Sequence, residues 1–180
     1  MRKFMFFIQT ATIFFFACST VQANHVMIDT TLGSLRVELH VLPAEPFFTK
    51  DEVSAGKGTE GMLIMGGAKP LALDANPHPN HHLVIHVFDT KTGKAITNAK
   101  VKIDFQSLDK NGNLFGTLIQ TPIVVMQVIG KGAQSTHYGN NVIMPDGPYN
   151  VSVVVNGNKM SFKVNVTEAA DASMKDMDMH

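Results

Sequence analysis

Apolar and polar residues alternate in short runs along most of the chain, and turn-forming residues separate these runs. Alternation with a period of two is typical of a strand that buries one face. The run 123–129 is apolar almost throughout, which predicts a strand that is fully buried. Several such strands with little helical periodicity predict an all-β fold, an antiparallel β-sandwich. The clearest predicted strands are 34–41, 82–88, 101–105, 123–129, 149–155 and 160–166.

Turn and cap signals predict one hairpin and one short helix. Residues 156–158, Asn-Gly-Asn, join the last two predicted strands as a tight turn. Thr49 can cap a helix over 49–55, with Glu52 as the third helical residue of a capping box. The polar, methionine-rich end of the chain, residues 169–180, is predicted to be a disordered tail.

The N-terminus has the three parts of a secretory signal peptide. A basic start at 1–3 precedes an apolar run at 4–17, and the small residue Ala23 suits cleavage. We therefore predict a cleaved signal peptide at 1–23, export to the periplasm, and a β-sandwich domain at 24–168. A retained N-terminal anchor is the alternative, although the apolar run is shorter than the about 20 residues that a membrane span needs.

Composition limits the chemistry of such an exported chain. The single cysteine, Cys18, falls in the predicted signal peptide, so we expect neither a disulfide nor a thiolate ligand in the exported domain. The chain has 15 basic and 15 acidic residues, without the clustered basic face that binds nucleic acid. Because no recognised catalytic motif occurs, we expect no enzymatic activity.

Imidazole and thioether side chains form the candidate chemistry of the predicted sandwich. His82 and His86 share one strand face, Met126 lies in the apolar run, and His137 lies in a glycine-rich loop that enters a strand. Nitrogen and sulfur ligands together favour copper over magnesium or calcium. On a straight strand, His82 and His86 are roughly 13 Å apart and do not share one ion. The prediction is a metal site of His82, His137 and Met126, with His86 as the exchanging ligand; ordinary packing is the alternative role of each.

Other ligand-type residues are weaker candidates. Glu38 and His40 lie two apart on one strand face, which makes them a possible second site. The remaining methionines of the body, Met62, Met65 and Met144, are interpreted as core residues. The tail carries thioethers and an imidazole that suit copper, and solvated chance composition is the alternative interpretation. These tail residues are Met174, Met177, Met179 and His180.

A segment late in the chain resembles a known family. It reads Thr136-His137-Tyr138-Gly139-Asn140-Asn141-Val142, and after one residue Met144-Pro145-Asp146-Gly147-Pro148-Tyr149-Asn150-Val151. This is similar to a segment of the periplasmic iron-transport-associated proteins. Those are small immunoglobulin-like β-sandwich proteins that bind copper and assist iron uptake. The resemblance spans roughly residues 80–155 and implies an immunoglobulin-like fold.

The same resemblance implies a ligand set. His137 matches one copper ligand of the family, Met126 a second, and His82, or else His86, a third. The sequence departs from the family in three ways: the gap from Met126 to His137 is longer, Val84 stands where the family has an acidic residue, and a later family histidine has no match.

These features predict a periplasmic, non-enzymatic protein that captures or delivers copper, with iron as the alternative metal and assistance to iron uptake as the alternative role. Its expected partners are metal ions, with an inner-membrane transporter and a second copy of the chain both open. The competing hypothesis is an interaction module of the cell envelope that binds no metal. In that case the histidines and methionines pack, and an edge strand docks a partner by strand addition.

Overall fold

The computed structural model describes residues 25–58 and 61–167, and these residues form two β-sheets and little helix. The predicted signal peptide at 1–23 and the predicted tail at 169–180 lie outside the described residues. The strands are β1 (Val26–Leu32), β2 (Leu35–Pro43), β3 (Phe47–Phe48), β4 (Met62–Gly67), β5 (His81–Asp89), β6 (Val101–Leu108), β7 (Leu114–Thr121), β8 (Val124–Val128), β9 (His137–Val142), β10 (Gly147–Val155) and β11 (Asn158–Val166). Helix α1 spans Lys50–Ser54, and a short 3-10 helix spans Gly132–Ser135.

The two sheets differ in width. The first has the strand order β1-β2-β5-β9-β8-β4-β3, and the second has the order β11-β10-β6-β7. All neighbouring strands are antiparallel except β3 and β4, which are parallel and are connected through α1. The predicted antiparallel sandwich is therefore confirmed for all but this one pair.

Alternating aliphatic residues decide which face of each sheet is buried, because successive side chains of a strand point to opposite faces. The sheets pack face to face through these side chains, each of which contributes about 1.5–3 kcal/mol when fully buried. They include Val37, Leu39, Val41, Leu83, Ile85 and Val87 from the first sheet, and Ile103, Phe105, Val151, Val153, Phe162 and Val164 from the second.

The first sheet buries a second, smaller apolar cluster on its opposite face. Its members are Met62, Val84, Val124 and Met126, with Phe47, Ile64 and Val128 packed against them. Residues 44–58 and 61–67, which we call the covering segment, contribute Phe47, Met62 and Ile64 to this cluster. As a result β5 is buried on both faces from His81 to Ile85.

The local signals of the sequence are confirmed. Thr49 caps α1 and forms the predicted capping box with Glu52. The predicted hairpin joins β10 and β11, and Asn156 and Gly157 both have positive φ, at 50° and 86°, as a two-residue turn with primed geometry requires. Four strands were not predicted from the sequence, namely β1, β3, β4 and β7, and three of them (β1, β3 and β7) each form one edge of a sheet.

Two packing predictions are wrong. The run 123–129 is not fully buried, since only Val124 and Met126 are buried within β8. The second sheet has four strands and the first has seven, so the outer part of the wider sheet is covered less completely. Met62 and Met144 are core residues as predicted, but Met65 is 40% exposed at an irregularity in the β4–β8 pairing.

Candidate metal centre

The ligand-type residues of the first sheet form a row across four neighbouring strands. Met126 of β8 lies opposite His137 of β9, His137 lies opposite His86 of β5, and His86 lies opposite Glu38 of β2. Residues directly opposite each other in antiparallel strands point to the same face. The row therefore lies on the face of the smaller apolar cluster, to which Met126 belongs.

His137 is the shared neighbour of the other two predicted histidine ligands. Its ring centroid is 6.0 Å from that of His82 and 5.1 Å from that of His86. His82 and His86 are separated along β5 as the sequence predicts, and each contacts the ring of His137 instead of the other. The role of His86 as an exchanging ligand remains a prediction, and the position of its ring beside His137 is compatible with it.

Close contact of β5 and β9 brings His82 and His137 together. His82 lies opposite Asn141, four residues along β9 from His137, yet the two rings are in contact. Gly139 lies between these two β9 positions and has no side chain. A Cβ atom there would be 2.0 Å from the Leu83 carbonyl oxygen, so glycine is required for this strand spacing.

Asn141 fixes the tautomer of His82. The Asn141 amide Nδ2 donates to the backbone carbonyls of Glu45 (2.8 Å) and Leu71 (3.0 Å). Its Oδ1 accepts the Glu45 backbone N–H at 3.2 Å and lies 2.9 Å from His82 Nδ1. Because Oδ1 can only accept, Nδ1 of His82 carries the proton, and the lone pair of the neutral ring is on Nε2.

A backbone carbonyl fixes the tautomer of His137. Its Nδ1 lies 2.8 Å from the carbonyl oxygen of Ser135, which also makes Nδ1 the protonated nitrogen. Ser135 is held in the short 3-10 helix, where its hydroxyl donates to Gly132 O and accepts the Val128 N–H. The glycine-rich loop that the sequence predicted thus sets the orientation of the ring.

Both Nε2 atoms are buried and have no hydrogen-bond partner. Such an atom is costly inside a protein unless something binds it. His82 is fully buried, and this burial, with the nearby His137, lowers its pKa to about 4. Burial also lowers the pKa of His137. Both rings are therefore neutral at pH 7, which is the form that binds a metal ion.

The 6.0 Å separation of the two ring centroids lies within the limit that one shared metal ion sets. An ion at about 2.0–2.1 Å from an imidazole nitrogen lies roughly 3 Å from the ring centroid, so two rings that share it are at most roughly 6 Å apart. Metal-binding histidines usually donate their second N–H to a carbonyl or similar oxygen, as both rings do here. The Met126 side chain, directly opposite His137 and fully buried, supplies a thioether in the same cluster.

Two of the three candidate ligands, His82 and His137, are nitrogen donors, and no carboxylate or thiolate belongs to the set. Within residues 25–58 and 61–167, no three His, Cys, Asp or Glu side chains are grouped so that they could hold a metal ion. A site here therefore depends on Met126 as a third ligand, and a His/His/Met set favours copper over zinc, magnesium or calcium.

Two further histidines extend the row toward solvent. The ring of His40 is 5.0 Å from that of His86, and the ring of His25 is 5.1 Å from that of His40. Nε2 of His40 lies 3.7 Å from a carboxylate oxygen of Glu38, so the pair that the sequence placed on one strand face does make contact. Burial, with His25 nearby, lowers the pKa of His40.

Sequence reasoning missed Asn141 and His25. The Asn140-Asn141 pair lies within the segment that carries the family resemblance, but nothing in the pattern of residues indicates a role for it. His25 gains its neighbours only through the pairing of β1 with β2. The tail ligands Met174, Met177, Met179 and His180 lie outside the described residues, so their role stays a prediction.

No family model, curated protein or solved structure matches the chain. Among the helices of the described residues, none has the length and apolar character needed to cross a membrane.

Proposed function

We propose that this protein is a non-enzymatic copper carrier of the periplasm whose buried site consists of His82, His137 and Met126. The observation that carries the proposal is the pair of buried, unpartnered Nε2 atoms on neutral rings whose Nδ1 atoms are both held by oxygen acceptors. Such an arrangement costs stability without a bound ion and becomes favourable with one.

The proposal also includes the more specific expectations drawn from the sequence about fold type, family, export and cargo. The fold is an immunoglobulin-like variant of the sandwich, and the chain is a distant relative of the periplasmic iron-transport-associated proteins. A cleaved signal peptide at 1–23 directs export, and copper is captured for delivery to an inner-membrane transporter. Iron is the alternative cargo. The residues Met174, Met177, Met179 and His180 collect copper outside the buried site. The support for these expectations is the sequence pattern and the chemistry of the donor set.

Copper titration of the purified full chain tests the proposal. We expect tight binding of Cu(I) and Cu(II) at the buried site, lost in the double variant His82→Ala/His137→Ala. His78→Ala is the matched control, because His78 is an exposed loop histidine whose Nδ1 lies 2.9 Å from Leu73 O, away from the row. Binding that is equal in all three proteins would overturn the buried site, and binding lost only on removal of residues 171–180 would confine copper to the tail.

A second candidate function rests on the edge strand β7. The side chains of Leu114, Phe115, Leu118 and Ile119 are 60%, 66%, 57% and 45% exposed. Long apolar edge strands are normally protected by charge or covered, because they pair with other chains. Strand β7 carries no charged residue, so an antiparallel β7–β7 pair across a two-fold axis places no like charges opposite each other. This favours a second copy of the chain as the occupant.

The mass of the protein in solution tests the second candidate. We expect a dimer in light scattering at about 100 μM, a concentration at which even weak strand pairing is populated. Leu118→Lys should give a monomer, whereas Leu73→Lys, at an exposed leucine outside β7, should stay dimeric. A monomeric mass for the wild type would overturn the proposal that a second copy of the chain binds at β7. An envelope protein bound at β7 would then be the remaining occupant.

A further inference from the structure

Five histidine rings form a continuous row from the protein surface to the buried site. In order they are His25, His40, His86, His137 and His82. Successive ring centroids are 5.1, 5.0, 5.1 and 6.0 Å apart. His25 is exposed and His82 is fully buried, so the row joins solvent to the site.

The outer pair has a geometry that suits a metal ion. His25 Nε2 and His40 Nδ1 are 3.0 Å apart and share one hydrogen bond. Two nitrogens at this distance, each about 2.0–2.1 Å from one ion, subtend an angle of roughly 90° at the ion. This is the angle between neighbouring ligands of square-planar Cu(II). Because His25 is exposed, its ring can turn to place the ion beside the line that joins the two nitrogens.

Glu38 favours the form of His40 in which Nδ1 has a lone pair for a metal ion. The Glu38 carboxylate lies 3.7 Å from His40 Nε2, beyond hydrogen-bond distance, and its negative charge favours the tautomer with the proton on Nε2 and the lone pair on Nδ1. His25 Nε2 is then the donor of the shared hydrogen bond, and its proton moves to Nδ1 through solvent when an ion replaces that bond. Arg36 holds Glu38 in place by an ion pair and also contacts Asp29 at 3.2 Å. Glu38 is thus a positioning residue for His40 and is not required as a ligand.

From these contacts we propose that His25 and His40 form an outer Cu(II) site, and that His86 passes the ion from there to His137 and His82. The transfer part rests on the copper function proposed above, whereas the outer site does not. His86 lies between the two sites, with its ring in contact with both His40 and His137. Each transfer exchanges one imidazole for the next, so the ion is never without a nitrogen ligand.

The test uses the full chain with Cu(II) as the probe and compares four proteins. They are the wild type, the outer variant His25→Gln/His40→Gln, the inner variant His82→Ala/His137→Ala, and the control His78→Gln. Paramagnetic broadening of assigned histidine NMR signals reports where Cu(II) binds, and stopped-flow absorbance reports how fast the inner site loads.

We expect the inner variant to keep Cu(II) broadening at His25 and His40. The outer variant should bind one Cu(II) fewer than the wild type and load the inner site at least about tenfold more slowly, because the loss acts on the association step. Its inner-site Kd should stay within about twofold of wild type, since the two sites share no ligand. His78→Gln should match the wild type in every measurement.

Absent broadening at His25 and His40 in the inner variant, where no copper at the buried site can reach them, would overturn the outer site. Equal loading rates in the wild type and the outer variant would overturn the transfer. Broadening confined to His25 and His40 in the wild type would instead support the outer site while the buried copper site fails, so the two proposals are tested separately.

Discussion

Asn141 gives the sharpest test of how the site is organised, because its neighbour Asn140 is a matched control. Both side chains are 1% exposed, and each makes four hydrogen bonds. Asn140 bonds to backbone groups alone, those of Lys69, Leu71, Pro122 and Asn141. Asn141 instead uses one of its four bonds to hold His82 Nδ1.

We expect Asn141→Ala and Asn140→Ala to lose similar amounts of stability. Four hydrogen bonds at a net of about 1 kcal/mol each give a loss of roughly 2–5 kcal/mol, since water replaces some of them. A typical domain is stable by about 5–15 kcal/mol, so both variants should fold. Urea denaturation of the metal-free proteins measures this loss.

The two variants should differ in copper affinity. Without Asn141 the His82 ring can rotate and change tautomer, and removal of such a supporting group typically weakens metal binding by about 10–100-fold. Asn140→Ala should stay within about threefold of wild type, because it leaves the His82 hydrogen bond intact. Chelator competition with Cu(I) gives both constants. Equal losses of affinity in the two variants would show that general destabilisation, and not the orientation of His82, controls binding.

The pKa of His82 is lowered to about 4 in the folded protein, so below pH about 6.5 the unfolded chain takes up its proton first. Titration of His82 alone should therefore remove roughly 3 kcal/mol of stability from the metal-free protein between pH about 6.5 and 4. His86, whose pKa is lowered to about 3, adds to the loss in the same direction, so His82→Gln should reduce the pH dependence in urea titrations without abolishing it; an unchanged slope would contradict the cause. Gly139→Ala should reduce the free energy of unfolding by several kcal/mol and lower the urea midpoint, because its Cβ would lie 2.0 Å from Leu83 O. The control is Gly66→Ala, whose added Cβ has no atom within 4 Å. Equal urea midpoints for the two variants would disprove the close approach. Deletion of residues 171–180 should reduce Cu(I) uptake while the circular dichroism spectrum and urea midpoint stay unchanged; undiminished uptake would remove the tail from the proposed function.

The parts of the fold that could be predicted are those encoded within a few residues. The capping box of Thr49 and Glu52 and the hairpin turn at 156–157 depend on neighbours along the chain. The alternation of β5 correctly placed His82 and His86 on one face, opposite to Leu83, Ile85 and Val87. Each of these features follows from local geometry, which the order of residues determines directly.

The parts that could not be predicted depend on strand pairing over long distances. His86 and His137 are neighbours only because β5 pairs with β9 in one particular register, and nothing local to either residue specifies it. Asn141 gained its role in the same way, through bonds to Glu45 and Leu71. The position of Met126 depends on pairing in the same way, since it is fully buried and at the same time lies opposite His137.

The covering segment has a consequence for how fast a bound ion could leave. Phe47 lies 5.7 Å from His82, and Asn141 ties both the N–H and the carbonyl of Glu45 to the site. Release on this side, as distinct from return along the row of histidines, would therefore wait for the segment to lift away, and its rate would reflect that opening more than the strength of the metal bonds. A receiving protein that grips the segment at Glu45 and Phe47 could then trigger unloading without competing for the ion.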